Sequence, residues 1–479
     1  ETMLVTETAW GKRIKTDVLI LGTGASGVGA ALRAAELKAD VLMVGQGRLE
    51  SSGCLGGGND HFIAVLNTDE PQDTIDDLVK AYLKPSSGYS EKQIRDWGEV
   101  MPAMVDFLEG EGVKLLHNPD GSYLRTAGRG EPAWYINQWF DAIKPCVKIL
   151  EEVDTEFLIK DGKRYRSVGF GQPGAWWLHI TNGTTIKRHL ARRVRKSGVN
   201  ILDDFHITRL FERGGHIMGC MGFNVLTREV YAIECKTAIC SLGWHPQRLT
   251  NNSTGNPYNC WHMPYNTGSY FVLPMQIGAS LVNIDISGRA TLIPKGWGAP
   301  GMNGINNMGG KEINALGERF MFKYDPMGEN GKRRNQVMGT WQEQVEGNGP
   351  PFYMDMTHFS DEDVHHLQYV LMPADKETYL DYCAARGIEF KKAPLEVEVS
   401  EMTVSGMLLA DDRLETTVKG LFAGSNFTSF SGAMCCGYVA AFHAANDGRH
   451  RRRGSAGRTR PNPRPLGAQG NQPSEVQRL

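Results

Sequence analysis

The sequence has no long apolar run and no Cys-x-x-Cys pair. No stretch of about 18 consecutive apolar residues occurs in it, so we expect no membrane span. The segment before the first strong pattern has no apolar core of the signal-peptide type, which favours a cytoplasmic location. The nine cysteines are scattered and form no Cys-x-x-Cys pair. This spacing argues against an iron–sulfur cluster or a zinc site within the chain, so we expect no metal ligands.

An overall excess of one charge is also absent, although the charges are unevenly placed. The formal net charge is −2, yet eight arginines and one glutamate lie from Arg449 onward. This Pro-, Gly- and Arg-rich tail has a composition typical of disorder. It lacks interleaved aromatic residues, so we expect no nucleic-acid binding.

Glycine, in contrast, is abundant, and its most informative cluster lies within residues 16–58. An apolar strand, Asp17 to Leu21, is followed by the G-x-G-x-x-G turn Gly22 to Gly27. An Ala/Leu-rich helix then runs to about Leu37, and a second apolar strand covers Val41 to Val44. Such a strand–turn–helix–strand unit predicts dinucleotide binding.

Each position in this turn has a physical role in holding a pyrophosphate. Gly22 makes the tight turn, Gly24 lets backbone N–H groups approach the phosphates, and Gly27 lets the helix pack against the strand. Ala25 and Ser26 open the helix, and the positive end of its dipole faces the phosphates.

One expected part of this unit is missing. An acidic residue usually follows the second strand and holds the ribose hydroxyls. Gly45 and Gln46 stand there instead, so we expect Gln46 to bond the ribose as a neutral amide. Arg48 leaves a 2′-phosphate pocket open as an alternative.

Periodicity and turn residues predict the elements that follow. Helices are expected at 67–83, 90–109 and 184–196, with a hairpin turn at 117–122. Strands are expected at 199–202, 205–211, 221–225, 231–242 and 420–425, and a helix of small residues at 431–445. From about 266 to 394 the chain shows glycine-rich loops and few clear strands, which indicates a separate lobe.

The order of the motifs resembles the flavoprotein subunits of the fumarate reductase and succinate dehydrogenase superfamily. The resemblance covers about residues 14–447 and is carried by Ser51 to Gly58, Leu242-Gly243, Asn266 to Ser269, Gly317 to Met321 and Thr417 to Gly424. Several of these stretches are closest to the adenylylsulfate reductase alpha branch.

The resemblance implies an α/β fold: a Rossmann-like, glutathione-reductase-like FAD-binding domain with an inserted capping domain. The FAD-binding domain would comprise 14–265 and 395–447, the capping domain 266–394, and the basic tail 448–479. FAD would be non-covalent, because Gly53 stands where the respiratory members carry the flavin-linking histidine. The implied cofactor-binding residues are Gly22, Gly24, Ala25, Ser26, Gly27, Gln46, Ser52, Gly53, Gly56, Gly57, Gly58, Asn59, Ser241, Gly243, Ser269, Gly424, Asn426, Ser431, Gly432 and Ala433.

The sequence departs from the family pattern around the substrate. Asn426 replaces the acid that usually holds the ribityl chain, and Asn306 replaces a substrate arginine. The substrate histidine falls near Glu401, and the second arginine has no counterpart. Because a fumarate site needs cations to hold two carboxylates, we expect no fumarate reduction. The histidine of the adenylylsulfate reductase site falls near Val404, which makes that substrate doubtful as well.

Three residues are candidates for catalysis, each with a structural alternative. His61 follows the glycine run and can shuttle a proton, or can be a hydrogen-bonded histidine under the lobe. Glu401 lies in an alternating strand where exposed acids are common, and Arg289 can hold an anion or be a solvated charge. Arg319 is expected to fix the lobe through an ion pair, and Cys435 and Cys436 to be buried small residues.

Three functions remain open from the sequence. The first is a cytoplasmic FAD-dependent oxidoreductase that transfers a hydride between flavin N5 and a small organic substrate and passes electrons to a ferredoxin-like iron–sulfur subunit. An alternative form of this first function is an oxidoreductase that acts on a sulfur compound and resembles adenylylsulfate reductase. The second is a flavin electron carrier without a small-molecule substrate, and the third is a chain that binds no FAD. An oligomer is possible.

Overall fold

A computed structural model of the chain describes most, but not all, of its residues. The described residues are 5–59, 61–63, 138–160, 162–164, 166–167, 177–244, 246, 263, 265–282, 284, 287–295, 305–306, 308–371, 378–404, 406–411, 413–426 and 429–453. The helices predicted at 67–83 and 90–109 and the hairpin at 117–122 lie outside these residues.

The described elements are nineteen strands and eight α-helices, with short 3₁₀ and π turns between them. The strands are β1 Val5–Thr8, β2 Gly11–Leu21, β3 Val41–Val44, β4 His61–Ile63, β5 Ile159–Lys160, β6 Lys163–Arg164, β7 Arg166–Ser167, β8 Trp177–His179, β9 Asn200–Leu202, β10 Phe205–Arg213, β11 His216–Asn224, β12 Val230–Cys240, β13 Leu281–Val282, β14 Ser287–Pro294, β15 Lys311–Ile313, β16 Phe352–Asp355, β17 Leu395–Val404, β18 Met407–Leu408 and β19 Leu421–Ala423. The helices are α1 Ala25–Glu36, α2 Gln138–Glu152, α3 Ile186–Lys196, α4 Ser269–Gln276, α5 Arg333–Val345, α6 Asp361–His366, α7 Thr378–Arg386 and α8 Ser429–Arg453.

The central element is an eight-stranded mixed sheet. Its strands run in the order β10-β11-β12-β2-β3-β9, with β1 beside β2 and β19 beside β12. The pairs β12–β2, β2–β3, β3–β9 and β12–β19 are parallel. Their carboxyl ends therefore meet at one edge, where ligands bind in open parallel sheets. This topology confirms the α/β expectation.

Helices cover one face of this sheet and apolar side chains fill the contact. Alternate residues of β2 point to opposite sides, so Val18 and Ile20 pack with α1, α2, α3 and α8, while Leu19 and Leu21 pack on the other face. Near-continuous apolar sequences such as Val41–Val44 reflect burial on both faces.

The lobe contains more strands than the sequence indicates. An antiparallel sheet of order β14-β17-β16-β15 covers a third apolar core, and its strand β17 comes from the segment that the sequence assigned to the FAD-binding domain. The short strands β15 and β16 carry little local signal, because their pairing partners are distant in sequence. In β17, Leu395 and Val397 are buried while acids alternate with them.

Two elements lie differently from their sequence neighbours. Helix α4 and Ala279, within the range assigned to the lobe, pack with the large sheet, and β13 pairs with β18. Helix α8 continues to Arg453, so it includes the first residues of the predicted tail.

No helix in the part of the chain that the structure describes has both the length and the hydropathy to cross a membrane.

Candidate functional site

Three distant chain segments converge at the hydroxyl group of Ser26. Ser26 Oγ lies 2.7 Å from Ser241 Oγ and 2.5 Å from the carbonyl oxygen of Gly424. These residues follow β12 and β19, and Ser26 lies in the first turn of α1. The contacts fix the start of α1 against the carboxyl ends of two strands, at the edge where a ligand is expected.

Glycines at this edge allow backbone to approach backbone. A Cβ at Gly53 would lie 2.7 Å from Gly24 Cα, and one at Gly22 would lie 2.3 Å from the Ser241 oxygen. A Cβ at Gly27 would lie 2.0 Å from the oxygen of Gly22, so α1 packs where only glycine fits. Gly24 precedes α1 and provides no side-chain cap, which leaves the first turn to a ligand.

The loop after β3 is bonded to the glycine turn. Ser52 Oγ lies 2.7 Å from Thr23 Oγ1 and donates to the Thr23 carbonyl at 3.0 Å. The 3₁₀ turn Cys54–Gly57 follows, and Asn59 N donates to the oxygen of Gly183 at 3.3 Å. The two glycine-rich segments therefore form one cradle, which contains the predicted Gly56, Gly57 and Gly58.

A buried lysine, Lys187, forms hydrogen bonds with both loops of this cradle. Lys187 is 1% exposed, and its Nζ donates to the carbonyl oxygens of Thr23, at 2.9 Å, and Leu49. Desolvation lowers the pKa of Lys187 to about 7, and the charges of Glu50 and Asp203 oppose this shift.

Lys187 is not among the residues predicted from the sequence, although a signal for it exists. Lys187 lies in α3 four residues before Ala191 and seven before Val194, both of which are buried. A lysine within the apolar stripe of an amphipathic helix indicates a buried cation with specific partners.

The region after β3 differs from the expected acidic pattern. Gln46 is exposed, and Arg48 forms an ion pair with Asp204 at 3.0 Å. Asp203 accepts a hydrogen bond from Leu49 N at 2.9 Å and pairs with Arg195. Carboxylates thus reach this region from the β9–β10 turn, and Arg48 already has a carboxylate partner.

Helices α1 and α8 cross at close range. A Cβ at Gly437 would lie 1.9 Å from the backbone carbonyl oxygen of Ser26, and one at Gly29 would lie 2.0 Å from the backbone carbonyl oxygen of Met434. This contact holds the first turn of α8, with Ser431, Gly432 and Ala433, beside α1. Cys435 and Cys436 are both fully buried, which confirms their expected packing role.

Asn426 bonds to protein atoms after β19. Its Oδ1 accepts from Tyr270 Oη at 2.6 Å and from Leu408 N at 3.1 Å, and its Nδ2 donates to Leu408 O at 2.8 Å. These bonds tie β19 to α4 and β18. Nearby, Gly243 lies against the side chain of Asn266, and Ser269 begins α4.

The three catalytic candidates lie on two different sheets. His61 lies in β4, in register with His179 of β8. Arg289 and Glu401 are direct backbone partners in the β14–β17 pair. The structure therefore brings Arg289 and Glu401 together and places His61 on another sheet; their side chains lie outside the described residues.

The lobe carries the predicted ion pair of Arg319. Its Nε and Nη2 donate to the two oxygens of Glu329, each at 2.8 Å, which confirms the expectation. Asn306, at the substrate-arginine position of the resemblance, is 1% exposed and donates to Glu312 Oε1 at 3.0 Å.

The arrangement fits FAD. The cradle needs glycine for space, backbone groups at the start of α1 suit a pyrophosphate, and Lys187 places a cation below the turn. The residues that can hold it are those of the cradle together with the first turns of α1 and α8.

Comparison with known proteins agrees with this geometry. Residues 17–429 match the family described as FAD binding domain. The chain is 24% identical over 421 residues to a subunit of the fumarate reductase (CoM/CoB) of Methanothermobacter marburgensis, covering 85% of this chain and 66% of that protein. It is 23% identical to an uncharacterized FAD-dependent oxidoreductase of Methanocaldococcus jannaschii, covering 87% of this chain and 67% of that protein.

A solved structure has the same fold. Adenylylsulfate reductase from Archaeoglobus fulgidus superposes with a TM-score of 0.62 at 20% identity, covering 94% of this chain and 72% of that one. The chain spans about two thirds of the length of the two relatives it matches in sequence. The chain therefore belongs to the FAD binding domain family, and the proteins it resembles in sequence include a fumarate reductase subunit and an FAD-dependent oxidoreductase.

Proposed function

We propose that this chain is the flavin-bearing part of an oxidoreductase that acts on a small organic substrate and exchanges electrons with a separate iron–sulfur polypeptide. The observation that carries the proposal is the glycine cradle at the carboxyl edge of the parallel sheet, where a Cβ at Gly53 would lie 2.7 Å from Gly24 Cα. FAD, when bound, supplies a centre that accepts or donates a hydride at N5.

The residues of the chain bind and orient the cofactor. Gly22, Gly24 and the first turn of α1 hold the pyrophosphate, and Lys187 fixes the Thr23 carbonyl behind it. Gly56 to Asn59 and Ser431 to Ala433 would hold the ring, and with Gly53 at the position of the flavin-linking histidine the flavin would be non-covalent. Gln46 would bond the ribose at the adenosine end.

The lobe is proposed to cover the ring and carry the substrate groups. Arg289 and Glu401, adjacent across β14 and β17, are suited to hold an anion and to move a proton, and His61 is the alternative proton carrier. The proposed lobe is 266–394 extended by β17, which pairs with β14 and β16, whereas α4 packs on the large sheet.

The proposed electron partner rests on the relatives. The Methanothermobacter protein is named as one subunit of a larger enzyme. The chain has no Cys-x-x-Cys pair of its own, so a ferredoxin-like iron–sulfur subunit is the partner we propose.

The substrate is proposed to differ from fumarate in this chain. Asn306 is buried, donates to Glu312 Oε1, and also donates to the Glu329 carbonyl at 3.3 Å. A buried neutral amide cannot hold a substrate carboxylate as an arginine does. Because the Methanothermobacter relative is a fumarate reductase, fumarate is the first substrate to assay.

The neutral Asn306 at the substrate-arginine position also supports a second candidate function, a flavin electron carrier without a small-molecule substrate. In that case a reduced protein donor reduces the flavin, and no compound in a broad panel of organic acids, thiols and sulfur compounds does so. Reduction by any one compound at a catalytic rate contradicts the carrier.

The visible spectrum of the purified chain, before and after acid precipitation, tests the first proposal. We expect flavin absorbance that moves entirely into the acid supernatant, and co-purification of an iron-containing polypeptide from the native host. Flavin retained in the precipitate contradicts non-covalent binding, and flavin without iron contradicts the proposed partner. A chain that stays colourless with added FAD contradicts the proposed function.

A further inference from the structure

The lobe encloses three polar side chains at the junction of strand β15, helix α5 and the short helical segment at 305–306. Asn306, Glu312 and Gln336 are each at most 1% exposed. Asn306 Nδ2 donates to Glu312 Oε1 at 3.0 Å, and Gln336 Nε2 donates to the same oxygen. The three side chains therefore form one buried contact group, which we call the lobe triad.

Within the part of the chain that the structure describes, one oxygen of each residue in the lobe triad has no hydrogen-bond donor. These atoms are Asn306 Oδ1, Glu312 Oε2 and Gln336 Oε1, all buried. Buried acceptors without donors are unfavourable, and most such atoms in folded proteins are satisfied. Asn306 and Gln336 both contact Glu312, so three such acceptors belong to one buried group, and a positive group placed among them would satisfy them.

The charge of the lobe triad supports the same conclusion. Arg319 is committed to Glu329, which it contacts through both carboxylate oxygens at 2.8 Å. Glu329 Oε1 also accepts from Glu312 N at 3.0 Å. Among the described residues no cationic side chain forms an ion pair with Glu312, so an ionised Glu312 adds one uncompensated negative charge.

We propose that the lobe triad binds one alkali cation, Na⁺ or K⁺, through Asn306 Oδ1, Glu312 Oε2 and Gln336 Oε1. Amide and carboxylate oxygens are hard ligands, and amide carbonyls replace the hydration shell of K⁺ in ion channels. A single carboxylate matches a single positive charge, whereas calcium sites commonly use several carboxylates. Among the described residues no group of three or more His, Cys, Asp or Glu is placed to hold a metal, so amide oxygens are essential to this site.

The cation would link three elements of the lobe. Glu312 lies in β15, Gln336 in α5, and Asn306 in a short helical segment before β15. Binding only to the folded arrangement stabilises it in proportion to the logarithm of cation concentration. The lobe segment Gly317 to Met321 lies shortly after β15 in the sequence, so the cation would also restrict the motion of Arg319.

Thermal unfolding of the full chain with bound FAD, at constant ionic strength, tests the proposal. The measurement is made at about pH 8.5, because the proposed site uses the ionised carboxylate of Glu312. Choline chloride is replaced stepwise by NaCl, by KCl or, as a control, by CaCl₂ at matched ionic strength. We expect a saturable rise in the unfolding temperature of about 3 °C or more with Na⁺ or K⁺ but not with Ca²⁺. In ²³Na NMR we expect line broadening that added K⁺ reverses.

Matched variants separate the site from general charge effects. Glu312→Gln removes the carboxylate without changing the shape, and we expect it to abolish both the cation-dependent rise and the line broadening. Glu318→Gln removes an exposed acid from the same lobe and should retain both. If Glu312→Gln fails to fold, Gln336→Leu should fold and bind Na⁺ about tenfold more weakly.

Equal unfolding temperatures in choline and sodium, with no line broadening, overturn the proposal. A protonated Glu312 or a buried water molecule then satisfies the three oxygens. A rise that persists unchanged in Glu312→Gln overturns it equally, because the cation then binds elsewhere.

Discussion

The buried ammonium group of Lys187 donates a 2.9 Å hydrogen bond to the carbonyl oxygen of Thr23, inside the glycine turn that follows the first central strand. The same group donates to Leu49 O, in the loop after the neighbouring strand. The Lys187 side chain thus joins the two loops that form the cradle.

Replacing Lys187 by Met should weaken FAD binding. Met retains most of the apolar stem but removes the hydrogen bonds to Thr23 and Leu49, which lie in the loops proposed to hold FAD. We expect the Kd for FAD to rise about tenfold, which corresponds to about 1.4 kcal/mol. Flavin fluorescence titration of the stripped chain measures it, and unchanged affinity contradicts the supporting role of Lys187.

The stability of the FAD-free chain should depend on pH through Lys187. Burial lowers its pKa from 10.5 to about 7 in the folded chain, while the unfolded chain keeps the ordinary value. Between these values the unfolded chain holds the proton and the folded chain does not. Stability therefore rises as pH increases from about 7 to about 10, and below pH 7 the full cost of burying the charge remains.

Urea unfolding at pH 7 and at pH 9 measures this effect. The maximum gain is about 5 kcal/mol at 1.36 kcal/mol per unit of pKa, and we expect roughly half of it by pH 9. Lys187→Met should lose the gain, whereas Lys391→Met, which removes a partly exposed lysine, should retain it. Identical pH profiles for all three chains would contradict the assignment.

Gly53→Ala should disrupt the cradle. Gly53 has φ +75, and an added Cβ would lie 2.7 Å from the Cα of Gly24, a backbone atom that cannot move alone. We expect a loss of about 2 kcal/mol in stability and at least about a tenfold loss in FAD affinity.

Gly47→Ala is the matched control on the same loop. No atom lies within 4 Å of a Cβ at Gly47, so we expect stability within about 0.5 kcal/mol of wild type and unchanged FAD content. FAD absorbance per protein, after dialysis, compares the two variants. Equal FAD content in both would contradict the close approach of Gly53 to Gly24.

Two glycines of helix α8 should respond in opposite directions to alanine. A Cβ at Gly437 would lie 1.9 Å from Ser26 O, so Gly437→Ala should separate α8 from α1 and destabilise the chain by about 3 kcal/mol. A Cβ at Gly448 would meet no atom closer than 3.8 Å. Gly448→Ala should stabilise by about 0.5–1 kcal/mol, because alanine favours a helix. Urea midpoints measure both, and a shift of the same sign in both would refute this account of the helix contact.

Removing Arg319 should destabilise the lobe. Glu329 is 2% exposed, and in Arg319→Met its carboxylate loses the two hydrogen bonds from Arg319 and keeps the one from Glu312 N. Because Arg319 itself is 40% exposed, water partly replaces it, and we expect a loss of about 2 kcal/mol. Arg319→Lys should recover part of this, since lysine retains the charge but not the two-pronged geometry.

The double variant Arg319→Met with Glu329→Gln supplies the control. It removes the buried charge together with its partner, so it should be more stable than Arg319→Met alone. The thermal unfolding temperature of each variant measures the series. A double variant less stable than the single one would show that Glu329 acts through other contacts, such as its bond from Glu312 N.

Local sequence patterns predicted the nucleotide-binding half of the fold well. The strand Val41–Val44 has the predicted bounds, and helix α1 ends one residue before the predicted Leu37. These elements have strong local signals, because apolar runs buried on both faces and glycine turns require particular residue types. The Arg319 ion pair was also predicted, from its motif.

The lobe was predicted less well, because its strands depend on distant partners. Strand β15 has three residues and pairs with β16 about forty residues later. The lobe triad was not predicted at all. Asn306, Glu312 and Gln336 have no common spacing or motif, and only packing brings their side chains together.

The glycine turn between a buried strand and a helix, and with it the FAD-binding family, could be read from the sequence alone. Those features depend on neighbouring residues, whose steric and hydrogen-bonding requirements are local. The folded chain was needed to learn that Lys187 supports Thr23, that Ser26 joins Ser241 to Gly424, and that Asn426 bonds Leu408. Each of these contacts spans between 18 and 398 residues of sequence, so it forms only when other interactions have offset the entropy lost in closing those loops.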